Sequence, residues 1–428
     1  MAVIREDARE TPVAAECDIC VVGGSCTGVF AAVAAARLGA RVGIVEANGF
    51  FGGVATASLV NIWHSTSDTT GERQIIGGLT MEMVERLRRR DAVVVKGTAT
   101  ASYVLNTEEL KIELDQLVAE ASVRPFLHAL FVAPIVEEGK LVAAAIEDKS
   151  GRRAIRASYF VDATGDGDLA ARLGLPCYKH ESIQPPTMCA ILRGLGAIRG
   201  RHSDFSINRV LFDRKYPQAL REGFSWSSAV PGGVDETMLA GTRVFGADCS
   251  DADQLSAAEI DGRRQVRAVC DLLREHFLGG RSVPLVALPA KIGIRETRHV
   301  RCHHTLTQEE LLSGRRFPDA IANGSYRVDV HRSDGAGVIF RNLEDTTFYQ
   351  VPYRSLVPVG ATNVLAAGRM IDADVGAFGA VRVMVNCNQM GQAAGVAAHL
   401  ALDSGAVVSE VDPRRLRAAL KKQGAIVI

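Results

Sequence analysis

Residues 18–46 run from a strand through a glycine turn and an alanine-rich helix into a second strand: DICVVGGSCTGVFAAVAAARLGARVGIVE. Asp18–Val22 is a short apolar run of the kind buried on both faces of a parallel sheet. A turn at Gly23–Gly28 leads into Val29–Leu38, which favours helix and is stopped by Gly39. Arg41–Glu46 reads as the next strand, and the whole has the length of one βαβ unit. The turn reads G-G-S-C-T-G. Gly23 permits the tight bend and Gly28 the close approach of helix to strand. Ser25 stands where a strict G-x-G-x-x-G has its middle glycine. Ser25 is small, and its hydroxyl can donate to a phosphate oxygen. The helix N-terminus aims free N–H groups and the positive end of its dipole at such an anion. Glu46 ends the second strand, where a carboxylate accepts hydrogen bonds from ribose hydroxyls and disfavours a 2′-phosphate. This order of elements points to a bound dinucleotide; a purely structural βαβ unit is the competing reading. Gly52-Gly53 follows as either a flexible loop or backbone passing beside the cofactor.

The rest of the chain sets limits on function. It has 428 residues with 49 basic and 49 acidic side chains, so it carries no electrostatic footprint for nucleic acid or an anionic membrane. No segment approaches the roughly 18 apolar residues of a membrane helix. The charged start, MAVIREDARETP, lacks the apolar core of a signal peptide. These features predict a cytoplasmic protein without nucleic-acid or membrane partners. Nine scattered cysteines, an odd number, suit reduced thiols.

Along the chain, residues 1–15 read as a flexible tail. Helices are expected at Thr80–Arg90 and at Asn106–Ala121, the latter capped by Asn106 or Thr107. Val123–Tyr159 reads as a three-stranded meander with turns at Glu138-Gly139 and Ser150-Gly151. Phe160–Ala163 is a buried strand running into Thr164-Gly165-Asp166-Gly167-Asp168. The patterning from 176 to 350 is weaker and reads as a second domain. Asn363–Ala367 returns to the buried-strand pattern, and Gln389–Leu400 is a helix of small residues. The expected fold class is α/β. A Rossmann-like domain with a β-meander occupies 16–175 and closes at 351–428, and an α+β substrate or cap domain is inserted at 176–350.

With the stretches NGFFGGVATASLV, QIIGG, VDATGDGDLAARLG, IRETR, FPDAIANGSYRVDVH, VPYRSLVP, NVLAAGRMI and VRVMVNCNQMGQAAG, the chain resembles the FAD-dependent oxidoreductases of the two-dinucleotide-binding-domain flavoprotein superfamily. The resemblance extends distantly to fumarate reductase flavoproteins and covers about 20 to 400. It implies FAD, with Gly23, Ser25 and Gly28 cradling the pyrophosphate and Glu46 holding the adenosine ribose. It implies Gly52, Gly53 and Thr56 on the flavin side, and a backbone contact from Val132 to the adenine region. Thr164, Gly165 and Asp166 match the second flavoprotein motif, and Gly368 and Arg369 the closing one. Gln389, Gly391, Gln392 and Ala393 would begin the last helix, with its N-terminus toward the flavin.

A substrate that loses hydride also loses a proton, so a base or polarising cation is expected beside the flavin. The candidates are His331, near a strand end, with Arg298 and Arg354 as anion contacts and His304. After IRETR the relatives run on to Gly, an acidic residue and Tyr, where this chain has Cys302, His303 and His304; that departure bears on specificity. The Arg295, Glu296 and Arg298 side chains are also read as a structural ion-pair network. A zinc site around His299, Cys302, His303 and His304 fails on geometry, since adjacent residues rarely converge on one tetrahedral point, and no metal is expected. Cys17 and Cys20 are expected on opposite faces of a strand. Cys26 at the helix start and His64 as a covalent flavin link are minor alternatives.

The expected function is hydride transfer between flavin and a small polar metabolite: a sugar, a carboxylate or a specialised-metabolism intermediate. The electron acceptor is unknown, and the protein is expected as a monomer or homodimer. The alternative is a flavin-binding accessory subunit or scaffold without turnover of its own.

Overall fold

The computed structural model describes residues 3–428 apart from 5, 6, 98–101, 222, 281–283 and 336. Five parallel strands form the central sheet, in spatial order Val364–Ala366, Tyr159–Asp162, Ile19–Val22, Val42–Val45 and Arg124–Phe126. Successive side chains on a strand point to opposite faces. Ile19, Val21, Ile44, Val161 and Leu365 therefore enter one core, while Cys20, Val22, Val45, Phe160 and Val364 enter another. Burial on both faces is why the first four read as unbroken apolar runs; Arg124–Phe126, expected in the meander, instead edges this sheet with Arg124 and Pro125 exposed.

Helices cover one face. The first, Cys26–Ala36, starts three residues before the expected Val29. Ser25 caps it in extended backbone and accepts the Gly28 N–H at 3.4 Å. Every residue of this helix but Ala36 is buried, so it shows no polar stripe. The closing helix, Met384–Ser404, crosses it at backbone contact. A Cβ on Gly391 would lie 2.1 Å from the Thr27 carbonyl oxygen, and one on Gly395 2.0 Å from that of Ala31. Gly391→Ala is therefore expected to lower the melting temperature. Overpacking against backbone costs about 1–3 kcal/mol or more, which outweighs the roughly 1 kcal/mol alanine gains in helix propensity. Gly200→Ala, in the helix Leu195–Arg201 where an added Cβ meets nothing, serves as the control and should not lower it. Equal melting of the two variants would contradict this crossing.

The meander covers the other face as Leu130–Glu137, Lys140–Asp148 and Gly151–Arg156, antiparallel in sequence. Val13–Glu16 pairs in parallel with its last strand, so regular structure reaches into the segment read as a tail. Residues 1, 2, 5 and 6 of that segment lie outside the described residues. The expectation for the cysteine pair is corrected. The strand begins only at Ile19, so strand periodicity does not extend back to Cys17. Cys17 and Cys20 both enter the meander-side core, as free thiols.

The segment 176–350 is shared between two cores. Residues between Met188 and Ile294 build their own, under an antiparallel sheet ordered Trp226–Ala229, Glu236–Ala240, Ala190–Arg193, Leu285–Ala287 and against the long helix Ala252–His276. Leu306, Phe317, Ile321, Tyr349 and Val351 instead join the helical core of the first domain. Among the described residues no helix is long and apolar enough to cross a membrane.

Candidate functional site

The parallel strands end at a cavity of about 290 Å³, lined in part by Val22, Val45, Glu46, Ala163 and Ala367. The carboxyl ends of such strands are where open α/β sheets take ligands. Of the residues expected to hold cofactor, Gly23, Ser25, Glu46, Gly52, Gly53, Thr164, Gly165, Asp166, Gly368 and Arg369 all line it. Gly23 turns the chain with φ at +103°, a conformation few other residues adopt. Gly24, absent from the sequence reading, is equally constrained. Its N–H donates to Glu46 Oε2 at 2.8 Å, and a Cβ there would meet the Glu46 Cβ at 2.7 Å. Glu46 Oε1 accepts the backbone and side-chain N–H groups of Asn48.

The second motif is held by Asp162, fully buried at the end of its strand. Its carboxylate accepts from the Thr164 N–H and hydroxyl and from the Ala170 N–H, and burial raises its pKa to about 6. Arg369 donates to Asp166 at 2.6 Å, and Thr297 donates to the same oxygen. Burial opposes the Asp166 charge, but Arg369 and Lys291 outweigh it and hold the carboxyl below its ordinary range.

Several expected contacts are placed elsewhere. Gly28 lies under the turn, against the Gly23 carbonyl. Thr56 is buried beneath Gly52 and donates to the Phe51 carbonyl at 2.7 Å, holding the loop from behind. Val132 does not line the cavity; Ala129, Leu130 and Phe131 do, and the Val132 carbonyl accepts from Arg172 at 2.7 Å. The closing helix begins at Met384, so Gln389, Gly391, Gln392 and Ala393 lie inside it and off the cavity. Gln389 bonds to Asn323 and Gln392 accepts from the Leu79 N–H, while Gly391 serves the helix crossing. Met384, Cys387 and Asn388 take the cavity-facing positions. Asn388 is 1% exposed, and neither its amide nitrogen nor its amide oxygen has a partner. A buried amide left with both donor and acceptor free suits a ligand rich in polar groups. Together with the helix N-terminus and Glu46, it makes this lining fit FAD.

A second cavity of about 750 Å³ adjoins the first, sharing Val54, Ile294, Arg369, Arg382 and Met384. Of the four catalytic candidates only His331 lines it. Burial first, then Arg295, Arg243 and Arg382, push the His331 pKa far down, so its imidazole is neutral. Arg243 Nη2 stands 3.3 Å from His331 Nδ1. A guanidinium only donates, so Nδ1 is the acceptor and the proton sits on Nε2. Nε2 lies 3.4 Å from Asp329 Oδ1. That Oδ1 is buried without a hydrogen bond, while Oδ2 accepts from the Tyr326 hydroxyl at 2.7 Å. His64 stacks on Tyr326 at 4.1 Å, and burial lowers its pKa to about 4.

The other candidates are engaged away from this cavity. Arg298 donates to the Asp166 carbonyl, to Asp168 Oδ1 and to the Ser250 carbonyl, and so braces the second motif. Arg354 pairs with Asp319 at 2.9 Å and is half exposed. His304 bonds to Glu310 at 3.0 Å, at the capped start of the helix Gln308–Leu312. The Cys302–His304 departure therefore lies outside both cavities. Cys26 is a buried thiol whose pKa burial raises to about 12, so it is not activated by the helix start.

Arg295, Glu296 and Arg298 do not pair with one another. Arg295 bonds to the Pro185 carbonyl and Thr187. Glu296 takes His180 Nδ1 at 2.6 Å, His299 Nε2 at 3.3 Å and the Gln184 N–H. Burial opposes the Glu296 charge, but these partners hold its pKa at about 2. His180, Glu296 and His299 gather ligand-type atoms within 4.8 Å of one another, a convergence the sequence did not show. At 2.6 Å the first two are in hydrogen-bond contact, closer than the roughly 3.3 Å between tetrahedral zinc ligands at ordinary bond lengths. The trio as it stands is a hydrogen-bonded unit.

The sheet, the glycine turn and the two motifs define an FAD-binding α/β protein. The chain belongs to the family described as FAD dependent oxidoreductase, whose model matches residues 18–420. Its cofactor is FAD. No curated protein matches it. Among solved structures it is similar to a geranylgeranyl bacteriochlorophyll reductase-like protein from Thermoplasma acidophilum, at 13% identity and TM-score 0.48, over 95% of this chain and 83% of that one. It is also similar to p-nitrophenol 4-monooxygenase from Pseudomonas putida DLL-E4, at 11% identity and TM-score 0.46, over 95% and 86%. At these levels neither likeness bears on the reaction.

Proposed function

We propose that this flavoprotein moves a hydride between FAD and a polar metabolite bound in the larger cavity, with Asp329 exchanging the accompanying proton. Bound FAD supplies the two-electron chemistry. Gly23, Ser25 and the first turn of the helix from Cys26 hold its diphosphate, Glu46 its ribose, and Asn388 a polar group farther along. Arg369, on the lining of both cavities, stands between cofactor and substrate. In substrate oxidation Asp329 Oδ1 would take the proton from the oxygen or nitrogen neighbouring the carbon that gives up the hydride to the cofactor. The single observation that carries this reading is that free, buried carboxylate oxygen on the cavity wall. His331 is a poor base, since its lone pair faces Arg243 and its environment repels a second proton. It instead presents an Nε2–H that orients Asp329 or substrate. Residues 188–294, which build their own core, serve as the cover that excludes water. Anaerobic flavin bleaching by candidate metabolites, with Asp329→Asn and His331→Ala compared, tests the assignment.

A further inference from the structure

We infer that the substrate of the larger cavity is an organic anion, an oxyanion group on an apolar body, seated by Arg295 and Arg382 with the charge of Arg243 behind them. The inference rests on the FAD-dependent reading above. Arg295 and Arg382 stand on this lining with a single carboxylate, Asp329, and Arg243 lies behind it against His331. Arg382 lies 3.4 Å from Asp329 Oδ2, and its Nε is buried without a partner. Arg243 is 5% exposed and donates to Thr187, His331 and the carbonyls of Thr242 and Phe224, all neutral acceptors. Arg295 likewise bonds only neutral oxygens. Among the described residues, then, a buried cation, Arg243, and a partly buried one, Arg295, have no acidic hydrogen-bond partner. Burial and a neighbouring guanidinium depress both: beside Arg382, Arg295 falls to about 10, and beside Arg295, Arg243 lies well below its ordinary value. An unpaired buried charge is costly to a fold and persists where a ligand compensates it. Guanidinium forks match carboxylate and phosphate oxygens. The opposite character appears at Phe224 and Phe340, 37% and 38% exposed and edge-to-face at 5.8 Å on the same lining. These rings hold apolar surface open until something apolar covers it.

The test is calorimetric titration of the FAD-loaded protein with phenyllactate, its uncharged amide and phenyl phosphate, with flavin content measured on the same sample. The expected result is that one or both anions bind at least about tenfold more tightly than the amide, the stronger arm identifying carboxylate or phosphate as the group. Arg295→Gln and Arg382→Gln should each remove most of that preference, as loss of a charged hydrogen bond does. Should one variant fail to fold, the other and the wild-type comparison of acid with amide stand alone. Equal binding of acid and amide, or no anion binding in protein that retains FAD, overturns this inference and leaves the flavin reading intact. A sample that cannot hold FAD fails the earlier reading instead.

Discussion

Gly28→Val yields a protein without bound flavin. A Cβ at this position would stand 1.8 Å from the Gly23 carbonyl oxygen and 3.2 Å from the Ala163 side chain. The first of these is backbone, so no side chain can swing aside. The helix Cys26–Ala36 must then withdraw from the turn whose N–H groups face the cofactor diphosphate, or the turn itself must open. Substitutions of this kind belong to the exceptional class that costs more than about 4 kcal/mol. The closing helix already touches the first helix at Thr27 and Ala31, which leaves the first helix nowhere to retreat. Flavin absorbance per folded protein, with circular dichroism to establish folding and Gly200→Ala alongside, checks the outcome. A folded Gly28→Val protein with full flavin content would refute the diphosphate assignment.

Asp329→Asn is expected to keep its flavin and to slow anaerobic flavin reduction by substrate by roughly 10²–10⁴-fold, the usual contribution of a positioned acid or base. Asparagine preserves the shape and the contact with Tyr326 but cannot hold the transferred proton. His331→Ala should lose less. Its ring already carries a proton on Nε2, and burial together with the three arginines prevents it from taking another. Stopped-flow reduction across pH separates the two residues. A larger loss in His331→Ala than in Asp329→Asn would return the proton to the histidine.

Four of the sheet's five strands were legible in the sequence because each is buried on two faces and bounded by glycine or polar turns; Arg124–Phe126, with Arg124 and Pro125 exposed, carries no such run and reads as part of the meander. The cofactor cavity was legible where a local motif builds it, as at Gly23–Glu46 and Thr164–Asp166. Element starts were less so. Ser25 caps a helix that the glycine spacing alone had placed at Val29. Met384–Asn388 contains asparagine and cysteine, weak helix formers, so the closing helix was expected to begin at Gln389 and the cavity-facing Asn388 was missed. Spacing by three and four residues along Met384, Cys387 and Asn388 was the available signal. The substrate cavity had no local signature. Arg243, Arg295 and Arg382 lie on separate segments and meet only through the fold. His304 and Arg354 stood out among clustered charges, and each is spent on a nearby acid, Glu310 and Asp319.

On the proposed reading the cavity at the strand ends holds FAD, and substrate in the adjoining cavity reacts with it. The most direct measurement is the visible spectrum of the purified protein before and after acid precipitation, with the released cofactor identified. Flavin bands in the folded protein and FAD in the acid supernatant, at about one per chain after reconstitution, are the predicted result. No flavin binding after incubation with FAD, or bands that remain with the pellet through a covalent link such as His64, would contradict the site as built here.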